Sequence, residues 1–166
     1  ALVAKSFLPT PRRATSGLES SRVSMMLAVL ARRCEIAMHE QDVYVSTVGG
    51  VRLTETSVDL AVALAVAGSK TEQTLSASVI ALGEVGLAGE VRAVPGVQRR
   101  LGEASRLGFK SAVVPRGSLD LTDGTPLRPG RSADPGGHGP AVGFDGMAVI
   151  EVDSLSQALR VAFTAP

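Results

Sequence analysis

Tryptophan is missing from this chain and tyrosine occurs once. With aromatic residues at 3% of 166, little is left for base-stacking platforms or aromatic cages. Cysteine also occurs once, as Cys34, so an intrachain disulfide is excluded and a reducing, cytoplasmic setting fits. Lysine is confined to Lys5, Lys70 and Lys110; every other basic residue is arginine. The 17 basic and 16 acidic residues leave a net charge of +1, which is no global footprint for nucleic acid. No apolar run approaches the roughly 20 residues of a membrane span. The opening ALVAKSFLPTPRR lacks a sustained apolar core and a cleavage signature, so no secretory signal is expected. The chain does not begin with Met and reads as a piece of a longer protein. What it has in plenty is small aliphatic side chains, with 45% hydrophobic residues drawn mostly from Val, Leu and Ala.

The chain is organised around VDLAVALAVA, residues 58–67. Asp59 is its only charge, and it is apolar all the way round, which predicts a helix buried on every side. The preceding Thr56 is the expected N-cap, with Asp59 at the third helical position and Ser57 on the first turn. Gly68 is expected to end the helix.

Before it, residues 1–7 read as a strand and the proline-bearing residues 8–17 as a loop. A helix runs from Ser20 or Ser21 to about Ile36, burying Val23, Met26, Leu27, Leu30 and Cys34. Residues 42–48 alternate like a strand, and Gly49-Gly50 predicts a hairpin with residues 51–55 returning. Further on, the β-rich run 77–84 and residues 90–94 predict a second hairpin around Gly83, Gly86 and Gly89. GEVGLAGEV lies between strands and so fails as a dinucleotide fingerprint. Pro95-Gly96 opens a helix with Val97, Leu101, Ala104 and Leu107 on its apolar face, closed by Gly108. A short strand covers residues 111–114. Residues 116–146 are dense in Gly, Pro, Asp and Arg and are expected to form a mobile loop insertion. His138 within it has no partner suited to a metal, and no metal site is expected. A strand over 147–152, a Ser154/Gln157 capping box and a helix lined by Leu155, Ala158, Leu159, Ala162 and Phe163 close the chain. The order predicts an α+β fold, a mixed sheet with packed helices, as a single domain over 1–166.

TETSVDLAVALAVAGS followed by IALGEVGLAGEVRAVPGVQRRLGEASRLGFKSAVVP resembles the C-terminal Lon-protease-like domain of the bacterial RadA family, the DNA-repair ATPases. PRRATSGLESSRVSMMLAVLARR and DVYVSTVGGVRLTE agree with it. The resemblance covers roughly residues 1–115 and not the 116–146 stretch. It implies a Lon-like fold and a parent chain that uses ATP, Mg and a zinc finger to process recombination intermediates, including branch migration. The implied assembly is a homo-oligomeric ring, a hexamer in the parent chain, working on DNA and with a recombinase as a further partner; no membrane is implied. Neither the zinc-finger cysteines nor a GxxxxGK[ST] phosphate loop is present, so this piece lacks the motor.

Lon-type domains hydrolyse peptides with a Ser–Lys dyad. Along that pattern Ser57 falls on the nucleophile, Gly83-Glu84 on the second motif and Arg100 on the dyad lysine. Leu82 replaces the usual Thr, and Glu55-Thr56 replaces a Gly-Pro. An arginine keeps its proton and has no acceptor, so Arg100 cannot serve as the base. A missing general base forfeits about 10²- to 10⁴-fold in rate. Ser57 and Arg100 are therefore vestigial dyad positions, unless Lys70 or Lys110 folds into reach. Ser57 read on position alone is a helix-capping serine. Arg99, Arg100 and Arg106 on one helix, with Arg12 and Arg13 in the early loop, are candidates for DNA phosphates. The plain alternative is a solvated face with Arg100 paired to Glu103. An active Ser–Lys endopeptidase and a protein-docking module acting through residues 126–143 are the competing functions.

Overall fold

The computed structural model describes residues 1–119 and 142–164. A first sheet contains β1 (Leu2–Lys5), β2 (Arg13–Ser16) and β3 (Gln41–Ser46) in the order β1-β3-β2. β3 runs antiparallel to β1 and parallel to β2. A second sheet contains β4 (Val79–Ala81), β7 (Ser111–Pro115), β8 (Val142–Phe144) and β9 (Met147–Val152) in the order β4-β7-β9-β8. β5 (Glu84–Val85) and β6 (Val91–Arg92) form a separate two-stranded ribbon. The helices are α1 (Ser20–Arg33), α2 (Asp59–Thr71), α3 (Val97–Arg106) and α4 (Leu155–Thr164). The α+β expectation holds, with parallel and antiparallel pairs in both sheets.

Alternation along the second sheet divides the interior in two. Val113 and Val152 point to one side and join α1, α2, α4 and the inner face of the first sheet in the main core. Ala112, Val114 and Val149 point to the other, against Val97, Leu101 and Ala104 of α3. Leu107, expected on that same face, is instead exposed, because α3 ends at Arg106. The apolar helix α2 sits at the centre: Leu60, Ala63, Leu64, Val66 and Ala67 are all buried. It is not covered on every side, because Ala61 is exposed. The face expected of α1 is buried as well, with Cys34 half-buried at its end.

Several expectations need correction. The hairpin at Gly49-Gly50 does not form; Val48–Gly50 is a single 3₁₀ turn, and residues 51–55 belong to no strand. The reason lies in β3, both of whose edges are already paired, to β1 and β2. The β2 partner comes from the stretch expected to be loop. Residues 47–53 instead fold back on Gly17, whose carbonyl accepts from the Leu53 N–H at 2.8 Å. Gly17 (φ 75°) permits this, since a Cβ there would stand 2.1 Å from Thr47 Oγ1. Of the second hairpin only the short β5–β6 ribbon forms; residues 79–81 of the expected strand 77–84 become β4 and pair in parallel with β7.

Gly68 does not end α2, which runs on to Thr71 with Glu72 left-handed beyond it. A glycine is needed at 68 for another reason: a Cβ there would meet Gln73 O at 2.8 Å and the Phe163 ring at 3.1 Å. The expected 116–146 loop is also shortened. Its front end is a turn, its back end is β8, and residues 120–141, with His138, lie outside the described residues. β8 and β9 form a tight hairpin whose two-residue turn, Asp145 and Gly146, has positive φ at both positions. Half of the expected Ser154/Gln157 box is made: Ser154 Oγ accepts from Gln157 N, but the Gln157 side chain accepts from Asp153 N at 2.9 Å, one residue before the cap, and not from Ser154 N. Among the described residues no helix is long and apolar enough to cross a membrane.

Candidate functional site: the cleft at Ser57

Thr56, Ser57 and Val58 form a 3₁₀ turn that leads into α2. No side chain caps the helix, so the expected Thr56 cap is not made. Backbone clamps hold the turn instead. Gly83 N–H donates to Ser57 O at 3.0 Å, and Leu60 N–H donates to Gly83 O at 3.1 Å. Such close passage suits a glycine: a Cβ on Gly83 would stand 2.8 Å from Val91 Cγ1. This backbone pairing gives Gly83 and Ser57, far apart in sequence, a shared position.

Asp59 anchors the same turn from below. It is buried, yet it does not act as a capping acid. Its carboxylate pairs bidentately with the Arg22 guanidinium of α1 and accepts the Val85 N–H at 3.2 Å. The Asp59 hydrogen bond raises the already high Arg22 pKa, ahead of the opposing effect of burial. Arg22 is absent from the site residues read from the sequence. The available signal was a lone carboxylate in an apolar helix, which demands an opposite charge.

Ser57 itself is 3% exposed. Its hydroxyl donates to Glu55 Oε2 at 3.1 Å. The same oxygen is gripped by the Arg100 guanidinium from α3. Arg100 therefore pairs with Glu55 and not with Glu103, which goes to Arg106 at 3.0 Å. The Arg100 hydrogen bond holds the Glu55 carboxyl below the usual carboxylate range, helped by the Ser57 hydroxyl and the two arginine charges. Glu55, a further member of the site, is visible in sequence only as a departure from the Lon pattern. No hydrogen bond or ion pair joins Lys70 or Lys110 to Ser57.

The cleft beside Ser57 is lined by Thr56, Val94, Pro95, Gly96, Arg99 and Arg100. Arg99 is exposed and makes no ion pair to a described residue. The five candidate arginines divide between two places. Arg99, Arg100 and Arg106 stand on α3, whereas Arg13 opens β2 of the first sheet and Arg12 directly precedes it. Arg12 is exposed. Arg13 is half-buried and spends its guanidinium on the carbonyls of Gln41 and Met38, fastening the loop before β3. That makes Arg13 a structural staple. Among the described residues no group of three or more His, Cys, Asp or Glu could hold a metal ion.

The chain is similar to proteins named DNA repair protein RadA. It is 40% identical to the Escherichia coli protein over 161 residues, 97% of this chain and 31% of that protein. Against the Pseudomonas aeruginosa protein the identity is 42%, over 98% of this chain and 32% of the relative. Against the Mycolicibacterium smegmatis protein it is 55%, over 64% of this chain and 23% of the relative. The chain thus spans about a third or less of the length of these relatives. Residues 16–118 match the model of the family described as subunit ChlI of Mg-chelatase, and the chain belongs to that family.

Proposed function

We propose that this chain is a proteolytically inactive, Lon-like domain of a RadA-type DNA-dependent ATPase. In that role it is a scaffold for oligomerisation and a DNA-facing surface while recombination intermediates are processed by branch migration during DNA repair. The relatives' names and the TETS-x-DLA and GEVGLAGEVR stretches support the reading. The parent chain is a cytoplasmic ring, hexameric, with DNA and a recombinase as partners, and residues 1–166 are one domain of it. ATP, Mg and Zn belong to that parent. This chain has neither a GxxxxGK[ST] loop nor a cysteine set to hold them, so no step here runs through them.

One observation carries the inactive half of the reading: what accepts the Ser57 proton. The resemblance puts the dyad lysine at Arg100, whose guanidinium keeps its proton. The acceptor at the hydroxyl is the Glu55 carboxylate, and Arg100 lowers its proton affinity further. A general base works best with a pKa near the operating pH, and this one is displaced the wrong way.

Two measurements on the full-length protein test the proposal. Casein incubated with the wild type and with Ser57→Ala stays intact in both; cleavage that disappears in Ser57→Ala overturns the reading in favour of a Ser–Lys-like endopeptidase. Arg99→Ala combined with Arg106→Ala weakens DNA binding and lowers the salt slope by about 2. Unchanged binding refutes the phosphate role.

A further inference from the structure

The cleft at Ser57 already holds an anion of the chain's own. The Glu55 carboxylate takes the Ser57 hydroxyl and the Arg100 guanidinium together. It is carried on residues 51–55, which belong to no helix or strand, and its side chain is 62% exposed. The cleft offers more donors than one carboxylate uses. Arg99 lines the same wall without an ion pair to a described residue, and the Arg100 Nε–H has no acceptor.

We propose that this cleft binds a phosphate group through Arg99, Arg100 and Ser57, and that Glu55 is a built-in competitor that the phosphate displaces. The inference rests on the DNA-facing reading above and narrows it to one site. To a guanidinium, carboxylate and phosphate oxygens are the same kind of acceptor, and the phosphate brings more of them. Exchange is eased because Glu55, 62% exposed, is the partner that leaves, while Arg100, 33% exposed, stays seated in the cleft wall. The departing Glu55 returns to water that already covers most of it. Arg106 is outside the cleft and keeps Glu103 throughout.

Glu55→Gln removes the competing charge and keeps the size. In the full-length protein, inorganic pyrophosphate and a single-stranded oligonucleotide are titrated separately into wild type, Glu55→Gln and Glu55→Gln/Arg100→Gln at fixed salt. The difference between variants is the readout. Glu55→Gln tightens both ligands roughly two- to fivefold, and the second substitution abolishes the gain. Tightening of pyrophosphate alone keeps the phosphate site but removes DNA as its source. No tightening of either ligand, while Arg99→Ala/Arg106→Ala still weakens DNA binding, overturns the competitor and leaves the DNA-facing reading in place. No response to any of these substitutions overturns both.

Discussion

Asp59→Ala tests how the site is held. Asp59 has 4% of its side chain exposed, against 30% for its partner Arg22. The substitution removes two interactions at once. The Val85 N–H, buried with its residue, loses its acceptor, which costs about 1–3 kcal/mol. The ion pair adds less than a fully buried one, because Arg22 can turn to water; about 1 kcal/mol is appropriate. The sum, about 2–4 kcal/mol, overlaps only the lower half of the ~3–5 kcal/mol for breaking a fully buried pair. For a chain of this size it corresponds to a fall in Tm of about 5–15 °C. Urea unfolding followed by circular dichroism measures it directly. The double-mutant cycle with Arg22→Met is the sharper assay. In the Arg22→Met background Asp59 is a buried charge without its cation, so removing it costs less than in the wild type, by about 1 kcal/mol. A loss below about 1 kcal/mol for Asp59→Ala, or strict additivity in the cycle, refutes the anchoring role.

Gly68→Ala reverses the ordinary helix preference. Alanine gains about 1 kcal/mol in an exposed helix interior, but here its Cβ meets Gln73 O and Phe163, so a net loss of about 1–3 kcal/mol is expected in urea midpoints. A stabilised variant would show that the α2–α4 contact is loose. At the surface, the hydrogen bonds to Arg116 hold the Asp153 carboxyl below the usual range. A depressed folded pKa contributes stability above the unfolded pKa, near 3.9, and that contribution is lost as pH falls through the folded value. Arg116→Gln moves the Asp153 titration, followed by NMR, upward toward the ordinary range and removes that part of the acid-side slope. An unmoved titration would show that the pair does not hold.

Local chemistry was legible where a residue's role depends on its neighbours in the chain. The face of α1, the Val97, Leu101 and Ala104 contacts of α3, the Pro95-Gly96 entry and the Ser154 cap all follow from spacing and capping. Asp145-Gly146 between Phe144 and Met147 is an equally local hairpin signal, hidden by the Gly- and Pro-rich composition around it. The Gly49-Gly50 hairpin misleads for the opposite reason. The turn chemistry is right, but whether a strand returns depends on a free edge, and distant strands occupy both edges of β3.

The sequence by itself settled that α2 is an apolar helix of the interior, that one charge goes in with it, and that an arginine rather than an amine stands at position 100. Those are properties of residue type and period, and no partner is needed to read them. Only the tertiary structure decided that Arg22 neutralises Asp59, that Gly83 clamps Ser57, and that Glu55 stands between Ser57 and Arg100. Each of these brings together residues from separate elements, and Coulomb attraction and hydrogen bonding act on distance in space, which the order of the chain does not contain.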